Sequence, residues 1–266
     1  MKIGIFDSGL GGLAIAKAAF KALPKYDYIY LGDTKNLPYG QKSPQEIYRH
    51  TQKAVEFLFA QNCQLIIIAC NTSSAWALRK IQQEYLPKAY PKRRVLGVII
   101  PTLEEADYQH RRKKIGVIGT TATVKSHIYK KELIKIDSSA KIYELATPRL
   151  VPLIEQNALQ KAVKSLELYL KPLQKQGIEA LVLGCTHYPF LKNECKKILG
   201  KEVAIVSQDE IIPKKLGKYL KRHQEIENKL GESRSRNFFV TKLNKDFEEV
   251  AKRLFGKKIK FELAKY

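Results

Sequence analysis

Short runs of apolar residues recur along the chain and alternate with segments in which apolar residues lie three or four positions apart. The runs are typical of strands buried on both faces, and the wider spacing is typical of amphipathic helices. The strand-like runs are KIGIF, YDYIYLGD, LIIIAC, RVLGVII, KKIGVIG, KIYELA, ALVLGC and VAIVS. Strands that alternate with helices in this way predict an α/β fold with mostly parallel sheets.

One helix has a clear start. Ser43 is placed as an N-cap, Pro44 stands in the first turn, and Glu46 lies three residues after the cap, as in a capping box. Apolar residues continue at helical spacing as far as Ala60. We therefore expect a helix over residues 45–60.

The chain contains an internal echo. The stretches LIIIACNTSSAW, which begins at Leu65, and ALVLGCTHYPF, which begins at Ala180, share one layout. In each, an apolar strand ends in a small residue and a cysteine, and hydrogen-bonding residues then open a helix. KIGIFDSGLGG near the start of the chain is similarly echoed by KIGVIGTTAT at residues 114–123.

Two related halves predict two similar α/β domains, each with a parallel sheet, related by pseudo-symmetry. Ligands of open α/β sheets bind beyond the carboxyl ends of the strands. We therefore expect the active site in the cleft between the domains, with Cys70 and Cys185 facing it from equivalent strand ends. Cys63 and Cys195 lack this setting and are interpreted as structural.

The composition limits the class of protein. The 266 residues are enough for one large domain or two small ones. An apolar content of 44% and a charged content of 28% are typical of a soluble globular protein. No apolar run approaches the ~20 residues that span a membrane, and Asp7 interrupts what would be the core of a signal peptide. We expect a cytoplasmic protein without membrane contact, whose cysteines are free thiols.

The net charge of +22 fits two classes of protein. It would attract nucleic acid, as expected of a basic nucleic-acid-binding module. It equally fits the solvated surface of an enzyme with a small anionic substrate. We favour the enzyme because the basic residues are scattered and no RNA-binding aromatic motif accompanies them. The sequence has no CxxC pair and no histidine at zinc-finger spacing, so we expect no metal.

Residues 9–14 fit the glycine pattern of dinucleotide-binding loops. Asp7 stands just before them, where it would repel a pyrophosphate. We therefore prefer a tight turn whose following helix receives a carboxylate ligand at its N-terminus, with Asp7 and Ser8 pointing into the cleft. A nucleotide-binding oxidoreductase stays as the alternative.

The loop over residues 32–43 contains a Pro-Tyr-Gly turn that ends in Tyr39 and Gly40. Two interpretations stay open for it. The loop is either an ordinary connection from a strand to a helix, or a wall of the site that offers backbone N–H groups and the Tyr39 hydroxyl.

Two thiols across a cleft allow three kinds of chemistry. They could form a disulfide, although redox pairs usually lie close together in sequence. One could be a nucleophile with His187 as its base. Alternatively, both could transfer protons on opposite faces of one carbon and so invert a stereocentre. The symmetry of Cys70 and Cys185 favours the third, with helix N-termini lowering the thiol pKa and with Asp7 and His187 shuttling protons.

The motifs FDSGLGG, GD…PYG, ACNTSSA, GTTAT, VPLIE and GCTHYP occur in the order and at the spacing that glutamate racemases have. The chain resembles that family from residue 1 to about residue 210. The tail, with FFVT and the helical DFEEVAKRLFG at residues 246–256, is similar to the family's last segment. The double-cysteine signature also occurs in aspartate racemases, so a racemase of another acidic amino acid such as aspartate is the alternative.

The resemblance implies a cofactor-independent isomerase that interconverts L- and D-glutamate and supplies D-glutamate for peptidoglycan in the cell wall. It implies that Cys70 and Cys185 are the two acid/base groups, with Asp7 assisting the first, and with His187, oriented by Glu155, assisting the second. The residues that it assigns to substrate binding are Asp7, Ser8, Tyr39, Gly40, Asn71, Thr72, Thr120, Thr123, Thr186 and His187.

The resemblance also implies a homodimer and a second domain that is inserted into the first. The expected first domain comprises residues 1–98 and 207–266, and the expected second domain comprises residues 99–206. One departure is Gln208, because the family usually has a small residue after the serine at this place. Some members restrain DNA gyrase; only the net charge of this chain bears on a gyrase or nucleic-acid partner.

Overall fold

The computed structural model describes residues 1–108, 114–243, 249–252, 255–256 and 259–265. Within them, ten strands form two sheets. The strands are β1 Lys2–Asp7, β2 Tyr28–Gly32, β3 Cys63–Ile68, β4 Arg94–Gly97, β5 Lys114–Gly119, β6 Lys141–Ala146, β7 Ala180–Gly184, β8 Ala204–Val206, β9 Arg236–Val240 and β10 Glu262–Leu263. The eight predicted strands are thus confirmed as β1 to β8.

Helices connect nearly all of these strands. The α-helices are α1 Leu13–Ala22, α2 Pro44–Ala60, α3 Asn71–Trp76, α4 Leu78–Lys80, α5 Leu86–Ala89, α6 Ile99–Tyr108, α7 Thr121–Lys125, α8 Ile128–Ile136, α9 Leu150–Glu155, α10 Leu159–Lys175, α11 Lys192–Leu199, α12 Gln208–Arg222 and α13 Gln224–Glu227. Short 3-10 turns cover Tyr39–Gln41 and Tyr188–Leu191, and a π-helical turn covers Ile81–Tyr85. The predicted helix at residues 246–256 falls largely outside the described residues.

The start of α2 follows the sequence rule closely. The Ser43 side chain accepts a hydrogen bond from the Glu46 backbone N–H, and the Glu46 carboxylate accepts one from the Ser43 backbone N–H. This reciprocal pair satisfies two donors that the first turn of a helix leaves without partners. The predicted capping box is therefore confirmed.

Both sheets are parallel and share one strand order. The first sheet runs β10-β9-β2-β1-β3-β4, and the second runs β6-β5-β7-β8. Four consecutive strands of the first sheet, β2-β1-β3-β4, correspond in order to the four strands of the second. The predicted α/β fold with two similar parallel sheets is confirmed.

The helices cover both faces of each sheet. In the first sheet, α1 and α12 bury one face and α2 buries the other. In the second sheet, α10 and α11 bury one face, and α6 and α8 bury the other. This double burial explains the continuous apolar runs in the sequence, because central strands such as β2, β3 and β7 meet water on neither face.

The first sheet takes strands from both ends of the chain, whereas the second takes strands from residues 114–206. The domain boundaries near residues 98 and 207 stay a prediction. No helix in the described part of the chain is both long and apolar enough to cross a membrane.

The strand order decides where the two cysteines lie. In the first sheet, the connections that follow β1 and β3 pack on opposite faces, and in the second sheet those that follow β5 and β7 do the same. A crevice opens where these neighbouring strands end. Cys70 follows β3, beside the end of β1 at Asp7, and Cys185 follows β7, beside the end of β5 at Gly119. The internal echo in the sequence therefore corresponds to equivalent positions in the two sheets.

Candidate active site

A single pocket gathers most of the predicted site residues. It has a volume of about 170 Å³ and is lined by segments that follow the carboxyl ends of strands from both sheets. The predicted residues that line it are Ser8, Tyr39, Gly40, Cys70, Asn71, Thr72, Thr120, Glu155, Cys185, Thr186 and His187. Asp7 and Thr123 do not line it; both are fully buried behind its wall.

Cys70 is the N-cap residue of α3. Its Sγ accepts a hydrogen bond from the Ser73 backbone N–H at 3.4 Å, and its thiol donates to Ser8 Oγ at 3.2 Å. Burial and the Asp7 carboxylate raise the pKa of the Cys70 thiol to about 11, although its hydrogen bonds to Ser8 and Ser73 lower it. The Ser73 N–H at the start of α3 lowers this pKa as expected, but burial outweighs it, so the expectation of a net lowering is wrong.

Asp7 lies beneath the pocket. Its carboxylate accepts hydrogen bonds from the Gly9 backbone N–H at 3.1 Å and from Thr186 Oγ1 at 3.2 Å. Burial raises the pKa of Asp7, while His187 and the backbone N–H groups of Gly12 and Gly9 oppose that rise. The carboxylate at the start of α1 is thus that of Asp7 itself, which lies behind the pocket wall and bonds to the pocket-lining Thr186. A ligand at this helix end and a contact between Asp7 and the substrate stay predictions.

Gly11 brings the first loop into contact with the segment after β7. A Cβ atom at position 11 would lie 2.5 Å from Thr186 Oγ1 and 2.6 Å from His187 Nδ1. At Gly12 a Cβ atom would lie 2.6 Å from the Asp7 Cβ. Close packing across the two sheets, and not a pyrophosphate, therefore accounts for the glycine pattern. The oxidoreductase alternative rested on this glycine pattern, so the packing removes its support.

His187 connects Cys185 to an acidic side chain. Its Nδ1 lies 3.8 Å from Cys185 Sγ, and its Nε2 lies 3.1 Å from Glu155 Oε1 at the end of α9. Burial lowers the pKa of His187, but the Cys185 and Glu155 side chains together outweigh it and raise the pKa to about 10. The imidazole is therefore a cation at neutral pH, held between a thiol and a carboxylate.

The loop after β2 closes the pocket on the side of the second sheet. A Cβ atom at Gly40 would lie 2.9 Å from the Thr120 Cβ, so the loop approaches that residue closely. The Tyr39 hydroxyl donates to Asp33 Oδ2 at 2.6 Å, and Asp33 also accepts from Thr241 Oγ1 at 2.7 Å. The loop is thus a wall of the pocket, and Asp33 anchors its tyrosine.

The first residues of α3 bond to α7 and its N-cap, to α8, and to the first residue of α12. Thr72 Oγ1 lies 3.0 Å from Thr120 Oγ1 and 3.2 Å from Thr123 Oγ1. The Asn71 amide bonds to the Gln208 amide in both directions at 2.8 Å, and Asn71 Oδ1 accepts from the Tyr129 hydroxyl at 2.6 Å. The Asn71 and Thr72 side chains therefore serve contacts within the protein as well as the pocket wall.

Sequence reasoning missed Tyr129, Gln208 and Ser73 as partners of the site. Gln208 gave one signal, since it departs from the small residue usual at that place in glutamate racemases. Tyr129 gave none, because it lies in an ordinary amphipathic helix. Ser73 was visible as part of ACNTSSA, but only the fold shows that its backbone N–H meets the thiol.

The donor set of the pocket limits its chemistry. None of the lining residues, all of which belong to the described part of the chain, is a lysine or an arginine. Within the same part of the chain, no group of three or more His, Cys, Asp or Glu side chains is arranged to hold a metal ion. The pocket instead offers two thiols, several hydroxyls, backbone N–H groups and one cationic imidazole, which suit proton transfer on a small polar molecule.

The model of a protein family described as Asp/Glu/Hydantoin racemase matches residues 13–209, well over half of the chain. The chain belongs to this family. A glutamate racemase of Aquifex pyrophilus is 40% identical over 267 aligned residues, which cover 99% of this chain and 98% of that protein.

Solved members of the Asp/Glu/Hydantoin racemase family have the same fold. A glutamate racemase from Bacillus anthracis superposes with a TM-score of 0.90 at 33% identity and covers 99% of this chain and 97% of that one. A Francisella tularensis glutamate racemase in complex with D-glutamate gives a TM-score of 0.89 at 31% identity, with the same coverage. The prediction of an isomerase of the amino-acid racemase type is confirmed.

Proposed function

We propose that this chain interconverts L- and D-glutamate, with Cys70 and Cys185 as acid and base on opposite faces of the α-carbon. The observation that carries the proposal is that both thiols line one pocket from equivalent strand ends of two similar sheets. A planar carbanion between two such groups loses its proton to one and gains a proton from the other, which inverts the stereocentre.

Each cysteine has its own group for holding a proton. On the Cys185 side, His187 is cationic at neutral pH because its pKa is raised to about 10, so it is suited to hold the proton that the thiol exchanges. On the Cys70 side, burial raises the pKa of Asp7, which makes its carboxylate a stronger base than one in water. We assign His187, with Glu155 as its orienting partner, to Cys185, and Asp7 to Cys70.

The pocket suits a small amino acid that carries carboxylates. Its volume of about 170 Å³ is below the ~300 Å³ at which pockets for drug-sized ligands begin. Without a lysine or arginine in the lining, hydroxyls and backbone N–H groups would hold the carboxylates. The candidates on the pocket wall are Ser8, Gly40, Asn71, Thr72, Thr120 and Thr186.

Glutamate is preferred to aspartate because relatives that are 38% and 40% identical over nearly their whole length are glutamate racemases. D-Glutamate made in this way would supply peptidoglycan synthesis and so support the cell wall. We further propose a cytoplasmic homodimer that needs no cofactor, with one domain formed by residues 1–98 and 207–266 and the other by residues 99–206.

The test is racemisation by the purified protein without added cofactor. We expect L-glutamate to become D-glutamate and, in heavy water, deuterium to enter at the α-carbon. We expect Cys70→Ala and Cys185→Ala each to abolish this activity, whereas Cys195→Ala, a change at a fully buried thiol outside the pocket, retains it. Parallel assays on L-aspartate and L-alanine measure the substrate preference.

Two results would contradict the proposal. Full activity in either single cysteine variant of the pocket would exclude the two-thiol mechanism. Faster turnover of L-aspartate than of L-glutamate would favour the aspartate alternative while leaving the mechanism intact.

A further inference from the structure

The short helix that follows Cys70 makes several hydrogen bonds to the helices of the second sheet. Thr72 bonds to Thr123 in α7 and to Thr120, the N-cap of α7, and the Trp76 Nε1 donates to the Ala122 carbonyl at 2.9 Å. Just beyond it, the Arg79 guanidinium donates to both carboxylate oxygens of Glu132 in α8. The position of Cys70 relative to the opposite half of the pocket therefore depends on contacts that cross between the sheets.

The most buried of these contacts joins Asn71, Tyr129 and Gln208, which we call the amide clasp. Asn71 and Gln208 exchange two hydrogen bonds of 2.8 Å, the Tyr129 hydroxyl donates to Asn71 at 2.6 Å, and Gln208 Nε2 donates to that hydroxyl at 3.3 Å. Their exposed fractions are 2%, 0% and 1%. No water is needed to satisfy these polar groups, so the clasp is a closed network.

The clasp joins three separate parts of the fold next to Cys70. Asn71 is the residue after that cysteine, Tyr129 lies in α8 against the second sheet, and Gln208 is the first residue of α12, which packs on α1 against the first sheet. Neither Tyr129 nor Gln208 lines the pocket. The hydrogen bonds of Gln208 reach the pocket through Asn71, whereas the Tyr129 ring also lies beside Gly184, the residue before Cys185.

The chemistry of the clasp requires an amide at position 208. Its Oε1 accepts from Asn71 Nδ2 while its Nε2 donates to Asn71 Oδ1, so the side chain needs both an acceptor and a donor. An apolar side chain would leave the Asn71 amide without this partner in a buried place. A small residue would leave the same gap and a void as well.

We propose that Gln208 is a positioning residue for the proposed racemisation: through Asn71 it fixes the orientation of Cys70 towards the substrate. Gln208 acts on the Cys70 half of the pocket, because its side-chain hydrogen bonds go to Asn71 and Tyr129 and none goes to Cys185, Thr186 or His187. The inference rests on the proposed function. It adds that Gln208 supports proton transfer by Cys70 and not proton transfer by Cys185.

The test compares three variants in the full chain. Gln208→Leu removes the amide at similar volume, and Tyr129→Phe removes only the hydroxyl. Gln64→Leu is the matched control, since Gln64 is equally buried and donates to the Lys92 carbonyl at the far end of β3. We expect kcat to fall at least about tenfold for Gln208→Leu and less for Tyr129→Phe, with KM little changed and with the control near wild type.

The decisive measurement is the primary isotope effect with α-deuterated L- and D-glutamate. A misplaced Cys70 slows the proton transfer between Cys70 and the α-carbon, which removes the α-proton of one enantiomer and protonates the intermediate formed from the other. The isotope effect of the α-deuterated substrate should therefore rise for the first enantiomer and not for the second. Cys70→Ser identifies which enantiomer that is. Loss of folded protein lowers both rates but leaves both isotope effects unchanged.

The outcomes separate the two proposals. An active wild type whose Gln208→Leu and Tyr129→Phe variants keep its kcat, or show equal changes of the isotope effect for both enantiomers, would overturn the role of Gln208 alone. If Gln208→Leu does not fold, Tyr129→Phe decides by the same measurement. A wild type that racemises no glutamate would overturn the proposed function, and this inference with it.

Discussion

Thr186 donates a hydrogen bond of 3.2 Å to the Asp7 carboxylate and so joins the segment after β7 to the end of β1. Thr186 is the residue after one pocket cysteine, and Asp7 raises the pKa of the other. The two halves of the pocket therefore do not act as separate units, since a buried acid of one half is held by a hydroxyl of the other.

Replacing Thr186 tests this link. Thr186→Val removes the side-chain donor to Asp7 Oδ1 and leaves the Gly9 N–H on Oδ2, which costs about 1–3 kcal/mol of folding free energy and should lower kcat at least about tenfold. Thr186→Ser keeps the hydroxyl and should retain most of the folding free energy and most of kcat. Urea unfolding and racemisation rates measure the two effects. A valine variant as stable and active as the serine variant would show that the bond is dispensable.

Gly11→Ala should disrupt the site without straining the backbone. The added methyl would lie 2.5 Å from Thr186 Oγ1 and 2.6 Å from His187 Nδ1, so the segment after β7 must move. A shift of this kind costs on the order of a hundredfold in rate.

Gly217→Ala is the matched control for that change. At Gly217, inside α12, a methyl would meet only Leu23 Cδ2 at an ordinary 3.5 Å. Removing a glycine from a helix interior should stabilise the fold by about 0.5–1 kcal/mol and leave the rate unchanged. Equal activity of the two alanine variants would contradict the packing argument.

Alkylation should report the protonation of Cys70. Because the Cys70 pKa is raised to about 11, its reaction with iodoacetamide should accelerate about tenfold per pH unit between pH 7 and 10. Asp7→Asn removes a charge that raises this pKa and should speed the reaction at pH 8. Mass spectrometry of the peptide gives the rate. Cys63 and Cys195, fully buried and with pKa values raised to about 12, are internal controls that should stay unmodified.

His187 should make the stability of the fold depend on pH. Its pKa rises from an ordinary 6.5 to about 10, so its contribution is full below pH 6.5 and is lost as the pH rises towards 10. The stability advantage of wild type over His187→Gln should therefore fall between pH 6.5 and 8.5, by at most about 1.4 kcal/mol per pH unit. Urea unfolding at several pH values measures it. A constant or growing advantage would mean that the folded protein holds a neutral imidazole.

The strands could be predicted because their signal is local. Every apolar run from KIGIF to VAIVS became a strand, since burial on both faces demands apolar side chains throughout. The start of α2 at Ser43 was equally local. The repeated motif around Cys70 and Cys185 also allowed the two pocket cysteines to be predicted, because equivalent strands of the two sheets end at equivalent places.

The parts that could not be predicted depend on distant contacts. Gln208 meets Asn71 across 137 positions of sequence, and no periodicity encodes such a pair. The sequence around Asp7 carries no sign that its carboxylate is buried and bonds to the Gly9 backbone and Thr186. The direction of the Cys70 pKa shift also required the fold, because it is the balance between burial and hydrogen bonds.

The two half-sites share a strand order but not a set of neighbours: one thiol lies near Asp7 and Ser8, the other near His187 and Glu155. Mirror-image amino acids have equal free energies in water, so their equilibrium constant is one. For a racemase built in this way, the ratio kcat/KM must then be identical in both directions, however unequal the surroundings of the thiols. A change in one half slows both directions equally at low substrate concentration, and the asymmetry of the pocket becomes visible only when substrate saturates it.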